Sequence, residues 1–219
     1  MNAHQFAPYE ELAHEFFHFY EHISDGAHDG SHIERVWRNA KAIQSEEGGD
    51  LEILAASVLL HDCIQVPRNS PLRNSASRLA AAEARTALGA LGWESSRVQV
   101  VANAVESHSF SAGIAPSSLE GCILQDADRL DAIGFTGIAR CYYTAGRLGS
   151  SLYDSSDPLG NSRQLDDREF ALDHFPMKLL TLADGFKTMT GQRLALERHR
   201  VLKNFYSGML AEIGLEAVG

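Results

Sequence analysis

The sequence predicts an all-α fold, a single-domain multi-helix bundle, and three observations carry that expectation. Apolar residues recur at three- and four-residue spacing in run after run. Turn-forming residues punctuate the gaps between the runs. No strand-length alternating stretch is bounded by turn signals.

The runs fall at residues 6–22, 33–44, 51–61, 79–91, 98–106, 119–133, 170–187 and 192–213, and each is expected to be helical. Breakers gather at 26–31, 48–50, 67–71, 89–93 and 111–118. Residues 146–167 hold Gly-Ser-Ser, Asp-Ser-Ser-Asp-Pro and Gly-Asn-Ser, so this stretch is expected to be either a lid or a disordered loop. Gly and Pro form no linker, and 219 residues at 44% hydrophobic content suffice for one substantial core, so residues 1–219 are expected to form one domain.

The formal charge of −10 argues against a general affinity for nucleic acid, though a few arginines and a metal can still capture one anionic ligand. The longest apolar stretch, 53–60, is too short to span a membrane. The first residues lack a basic and then apolar leader, which makes cytoplasm the expected compartment. Cys63, Cys122 and Cys141 form no CxxC pair and are expected to be reduced and mostly buried.

Three segments carry chemistry. The run 51–60 is apolar on every side except at Glu52 and Ser57, so its helix is expected to be buried, and it ends in His61-Asp62. Burying an imidazole beside a carboxylate without partners costs several kcal/mol, roughly, which a divalent cation would offset. Around His32, the residues Ile33, Val36, Trp37, Ala40 and Ile43 form one apolar stripe at about 100° per residue, and His32 flanks it. The segment 122–133 carries Asp126, Asp128 and Asp131 in an apolar run. A wheel through Leu124, Ala127, Phe135 and Ile138 sets Asp128 and Asp131 on or beside the inner face and Asp126 nearly opposite, at the surface. The wheel does not choose between Asp128 and Asp131.

The order His, His-Asp, Asp resembles the HD-domain superfamily of metal-dependent phosphohydrolases. His28-Asp-Gly-Ser-His32-Ile-Glu-Arg-Val, Leu59-Leu-His61-Asp62, His108-Ser-Phe-Ser and Leu124-Gln-Asp-Ala-Asp128-Arg-Leu-Asp are similar to one small single-domain bacterial branch. His174-Phe-Pro-Met-Lys178 resembles that branch's later helix but departs from it at Pro176 and Met177. The resemblance implies a motif core at about 25–135, completed by C-terminal helices at 168–213. It implies His32, His61, Asp62 and Asp128 as metal ligands, with Asp131 standing behind them to orient Arg129 or a water.

His14-Glu15-Phe16-Phe17-His18 also matches the H-E-x-x-H zinc-protease pattern, with His22 extending the spacing. The pattern has three fixed positions and lacks the extended signature, so a histidine-rich amphipathic helix is the expected reading.

His108 at a helix end is a candidate substrate or second-metal contact, or else a capping histidine. Arg68 and Arg73 in the loop leaving His61-Asp62, and Lys178, are candidate substrate contacts. Arg35 and Arg129 beside ligands either serve the substrate or pair with a carboxylate. Arg193 or Arg198 is, like Lys178, a candidate phosphate contact, against a solvated helix face as the alternative. The expected chemistry is hydrolysis of a phosphoester or phosphoanhydride, with Asp62 or Asp131 as proton acceptor. Mixed nitrogen and oxygen ligation points to Mn²⁺ first, then Fe²⁺, Ni²⁺, Co²⁺ or Mg²⁺. The branch implies a small phosphorylated substrate, a nucleotide, with cleavage of a nucleoside triphosphate to monophosphate and pyrophosphate among the reactions. The alternative is a non-catalytic nucleotide sensor that keeps the pocket.

Overall fold

The computed structural model describes residues 1–21, 30–66 and 70–215. Its helices are α1 (Glu10–Phe16), α2 (Gly30–Glu47), α3 (Leu51–Leu60), α4 (Ala76–Ala90), α5 (Ser95–Ser107), α6 (Leu119–Asp131), α7 (Gly134–Leu148), α8 (His174–Met177) and α9 (Met189–Glu212), with short 3-10 turns between some of them. Among the described residues no strand forms, and an isolated bridge joins Ser151 to Phe170. The chain is all-α. No helix among the described residues is long and apolar enough to cross a membrane.

Two compact units are present, Met1–Arg129 with Lys187–Gly191, and Leu130–Phe186 with Gln192–Gly219. In the first, α3 lies at the centre, packed by α1, α2, α4 and α5. Every residue of α3 from Ile53 to Leu60 is buried, as an apolar helix without a polar face requires. Asp50 caps it, Oδ1 accepting from the Glu52 and Ile53 amides at 2.9 and 3.0 Å. Arg97 of α5 then clamps that end, 2.8 Å from Asp50 and 2.7 Å from Glu52. α4 and α5 pack on each other, and Ala80, Ala81 and Ala84 are buried on one helix and Ala102 and Ala104 on the other.

The N-terminal run 6–22 is helical over a shorter span than expected. α1 stops at Phe16 and a 3-10 turn covers Phe17–Tyr20. Phe6 stacks on Trp37 with ring centroids 5.4 Å apart, and Trp37 Nε1 donates to the Gln5 carbonyl at 2.8 Å, so the start of the chain is tied to α2. His14, Glu15 and His18 are exposed, and the change of helix type removes the shared α-helical face that H-E-x-x-H requires. His22 lies outside the described residues.

In the second unit, α7 corrects the sequence reading, which had no helix at 134–148. Two of its glycines, Gly134 and Gly137, serve close approach. A Cβ on Gly137 would stand 2.3 Å from the Ala132 carbonyl oxygen. Gly134, at φ +72°, turns the chain sharply against the side chain of Arg198. The expected helix 170–187 is instead a 3-10 turn (Ala171–Asp173), the four-residue α8 and another 3-10 turn (Leu179–Thr181). Lys178, at φ −141°, ends α8. Asp173 is drawn into the preceding loop, accepting from Arg163 at 2.6 and 2.9 Å and from the Asp166 amide at 2.8 Å.

That loop takes a defined course around Arg163, whose guanidinium also reaches Asp154 at 3.0 Å and lies 4.5 Å from the Phe170 ring centroid. The three cysteines form no disulfide, and burial pushes the Cys63 and Cys141 thiols up to about 12 and about 11. They are packing residues.

Candidate metal centre

Three helix ends in the first unit bring ionisable side chains together. His61 is the C-cap of α3, His108 is the C-cap of α5, and Asp128 lies in the last turn of α6. The negative end of each helix dipole favours a cation there. His32 comes from the first turn of α2, and Asp62 follows His61.

His61 and His108 are built alike. The Nδ1–H of His61 donates to the Val58 carbonyl at 2.8 Å, and that of His108 to the Val105 carbonyl at 2.7 Å. A carbonyl can only accept, so each neutral ring carries its lone pair at Nε2, directed away from its own helix. His61 Nε2 lies 3.3 Å from His32 Nε2. Asp128 Oδ1 stands 3.4 Å from His32 Nε2 and 4.0 Å from His61 Nε2. Asp62 Oδ2 is 3.8 Å from both of these nitrogens, while its Oδ1 faces His108 Nε2 at 3.6 Å.

The cluster thus has two overlapping triads among the described residues, His32–His61–Asp128 and His61–Asp62–His108, which share His61. Asp62 groups with His108 rather than with Asp128. His32 and His61 are 1% exposed, whereas the Asp62 and Asp128 side chains are 35% and 27% exposed, so the carboxylates form the open side.

The donor set fits a divalent cation. Two imidazole nitrogens 3.3 Å apart need a proton or a cation between them, and two carboxylates beside them favour the cation. Atoms that share one ion at about 2.1 Å lie roughly 3.0–4.2 Å apart. The observed separations of 3.3 to 4.0 Å fall in that interval.

The charge balance is uneven across the cluster. Burial pushes the His61 imidazole below 6.5, against the pull of Asp62 and Asp128. Burial also acts to raise the Asp62 carboxyl, but His61, His108 and His32 hold it well below 3.8. For His108 burial is outweighed by the facing Asp62 carboxylate, and the pKa rises above 6.5. In the metal-free protein the two imidazoles therefore titrate on opposite sides of 6.5. Protonated His108 stabilises the fold at low pH, and that contribution is lost as pH rises through its raised pKa. Protonating His61 costs the fold, so its contribution is lost as pH falls below 6.5. An NMR titration of the ring Cε1–H resonances reads both midpoints, and the reverse order would overturn this assignment.

Two buried amides that the sequence reading passed over hold the cluster's elements together. Asn39, two turns beyond His32 on α2, donates to the Ala127 carbonyl at 2.9 Å, one residue before Asp128. Gln125 donates to the Ser107 carbonyl at 2.7 Å, one residue before His108. A polar residue at a buried helical position was the available signal.

The remaining candidates scatter. Arg35 Nη1 donates to Ser31 Oγ at 2.7 Å, and exposed Arg73 donates to the Val66 carbonyl at 3.2 Å. Arg129 is buried against the Phe110 ring. Arg68 lies outside the described residues. Asp131 and Lys178 belong to the second unit, where Asp131 is 1% exposed and 2.7 Å from Arg140, and Lys178 is exposed. In that unit Arg193 reaches Glu197 at 3.4 Å, and Arg198 donates to the Leu130 carbonyl. Asp126, expected at the surface, is fully buried, because its carboxylate accepts from the Lys187 and Thr188 amides and from Thr188 Oγ1.

Residues 29–133 match the family model of the HD domain. Over 195 residues the chain is 35% identical to the uncharacterized protein YpgQ of Bacillus subtilis (strain 168), covering 87% of this chain and 87% of that protein. The crystal structure of YpgQ in complex with ADP aligns with a TM-score of 0.71 at 32% identity, covering 92% of this chain and 98% of that one. An HD-superfamily hydrolase from Bacillus thuringiensis aligns with a TM-score of 0.71 at 30% identity, covering 95% of this chain and 97% of that one. Similarity of this extent, over most of both chains in sequence and in structure, makes the chain a member of the HD-domain superfamily.

Proposed function

We propose that the protein is a metal-dependent phosphohydrolase acting on a nucleotide, with His32, His61, Asp62 and Asp128 holding a divalent cation. The observation that carries this reading is the buried pair of imidazole nitrogens 3.3 Å apart, bordered by two part-exposed carboxylates. A proton shared between the two rings would satisfy that pair alone, but the two carboxylates within 4.0 Å of the same nitrogens favour a cation there. The cation, when bound, lowers the pKa of a coordinated water and offsets charge on phosphoryl oxygens. Mixed nitrogen and oxygen donors make Mn²⁺ the first choice.

The chain's own groups divide the remaining work. Asp62, held well below 3.8, stays ionised and orients His108 through Oδ1. His108, whose Nε2 faces Asp62 Oδ1 at 3.6 Å beside the cluster, is placed to donate from Nε2 to a phosphoryl or leaving-group oxygen. Asp131 is the poorer proton acceptor of the two carboxylates first considered, because Arg140 engages it at 2.7 Å. Arg35 and Arg73, in the same unit as the cluster, are the candidates for phosphate contacts. A nucleotide substrate is supported by the ADP bound to YpgQ, a relative at 32% identity.

The test is purified protein supplemented in turn with Mn²⁺, Fe²⁺, Ni²⁺, Co²⁺ and Mg²⁺, offered nucleoside mono-, di- and triphosphates with product identification. Metal-dependent release of phosphate or pyrophosphate is expected. No turnover of any of them with any of these ions would overturn the reading.

A further inference from the structure

Phe110 opens the 3-10 turn after His108, and its ring is 50% exposed. The ring does not hang loose, because the guanidinium carbon of Arg129 lies 3.9 Å from its centroid. Arg129 itself is 6% exposed, so a buried cation backs one face of a half-exposed ring. Both residues flank the metal cluster along the chain. Phe110 is two residues from His108, which places their Cα atoms within about 7 Å of each other. Arg129 directly follows Asp128. Simple packing would bury such a ring, yet here a guanidinium lies over it while the residue stays half exposed.

We propose that Phe110, backed by Arg129, is a stacking platform for the nucleobase of the substrate, the base lying on the ring while the phosphates reach the metal cluster. The proposal rests on the nucleotide reading above. Every base has a π-face, so a platform of this kind binds bases broadly and favours purines for their larger area. Arg129 on this view positions the ring rather than gripping phosphate, which distinguishes it from the role the sequence suggested.

The experiment is calorimetric binding of ADP and of inorganic pyrophosphate to the Mn²⁺-loaded full chain. The two probes share the phosphate chemistry and differ in the nucleoside. For Phe110→Ala the ratio of ADP to pyrophosphate affinity is expected to fall about tenfold, while Phe110→Trp keeps it within roughly threefold. Because the ring is half exposed, the alanine variant is expected to melt as the parent does. Equal weakening of both probes, which a merely structural role at Asp128 would give, overturns the platform. So does an unchanged ratio, or a parent protein that binds pyrophosphate as tightly as ADP. A base-dependent ratio without hydrolysis of any nucleotide would leave the platform standing and remove the phosphohydrolase reading instead.

Discussion

Replacing His61 with alanine is expected to abolish stoichiometric metal binding and to cut metal-dependent turnover by more than about 100-fold. The magnitude follows from position. Removing an outer partner of a metal ligand already costs about 10- to 100-fold. His61 is the one residue shared by both triads, and its Nε2 lies within 4.0 Å of His32, Asp62 and Asp128 alike. His32 Nε2 has the matching neighbours, His61, Asp62 and Asp128, but belongs to one triad. The substitution also strips the Val58 carbonyl of its donor, a local cost of about 1–3 kcal/mol, so the variant is expected to fold with a lowered midpoint. Metal content by mass spectrometry separates the two effects. Asp131→Ala is the contrast, expected to lose stability through its buried pairing with Arg140 while keeping the metal. His14→Ala, at an exposed position, is expected to change neither. Full metal occupancy in a folded His61→Ala protein would overturn the assignment of the centre.

What could be read from the sequence follows from how local each signal is. α3 was legible because a helix apolar on every side has one physical solution, and the polar doublet at its end then demands partners. His32 was legible from its place beside the stripe Ile33, Val36, Trp37, Ala40 and Ile43, all of them buried. The aspartates of α6 were read less well, for a definite reason. The wheel that demoted Asp126 included Phe135 and Ile138, which presumes one helix through residue 138. α6 stops at Asp131, and Gly134 at φ +72° turns the chain, so Phe135 belongs to α7 and is 78% exposed. Leu124 and Ala127 alone set the same inner face, however. The burial of Asp126 was hidden because α6 is buried nearly all round, with Gln125, Asp126 and Arg129 enclosed like Leu124 and Ala127. Likewise, glycines that allow close approach in α7 cannot be told from glycines that end helices without knowing what they touch. The run 170–187 kept its apolar spacing but lost Asp173 to Arg163, a contact ten residues apart that no periodicity encodes.

Asp126 is therefore where the largest stability effect is expected. It is completely buried and accepts from the Lys187 amide at 2.8 and 3.0 Å, the Thr188 amide at 2.8 Å and Thr188 Oγ1 at 2.8 Å. Thr188 Oγ1 in turn accepts from the Gly191 amide at 3.0 Å. This network fixes the first turn of α9 to α6, two residues before Asp128. A Cβ at position 191 would lie 2.4 Å from Asp126 Oδ2, so the contact also requires glycine there. Asp126→Ala leaves the buried Thr188 amide and hydroxyl and the part-buried Lys187 amide without their acceptor. At about 1–3 kcal/mol for each orphaned group, and less than additively, the loss is expected to be about 3–5 kcal/mol. Asp126→Asn preserves the volume but turns an amide NH₂ toward groups that themselves donate, so it is expected to recover only part of the loss. Gly191→Ala attacks the same contact from the other side and is expected to destabilise without removing any polar group. Urea unfolding of the three variants measures these effects, and metal content measures how far the loosened α6 carries Asp128 from its place. An Asp126→Ala protein within about 0.5 kcal/mol of the parent, the range of an ordinary surface substitution, would mean that the carboxylate is not the tie between α6 and α9.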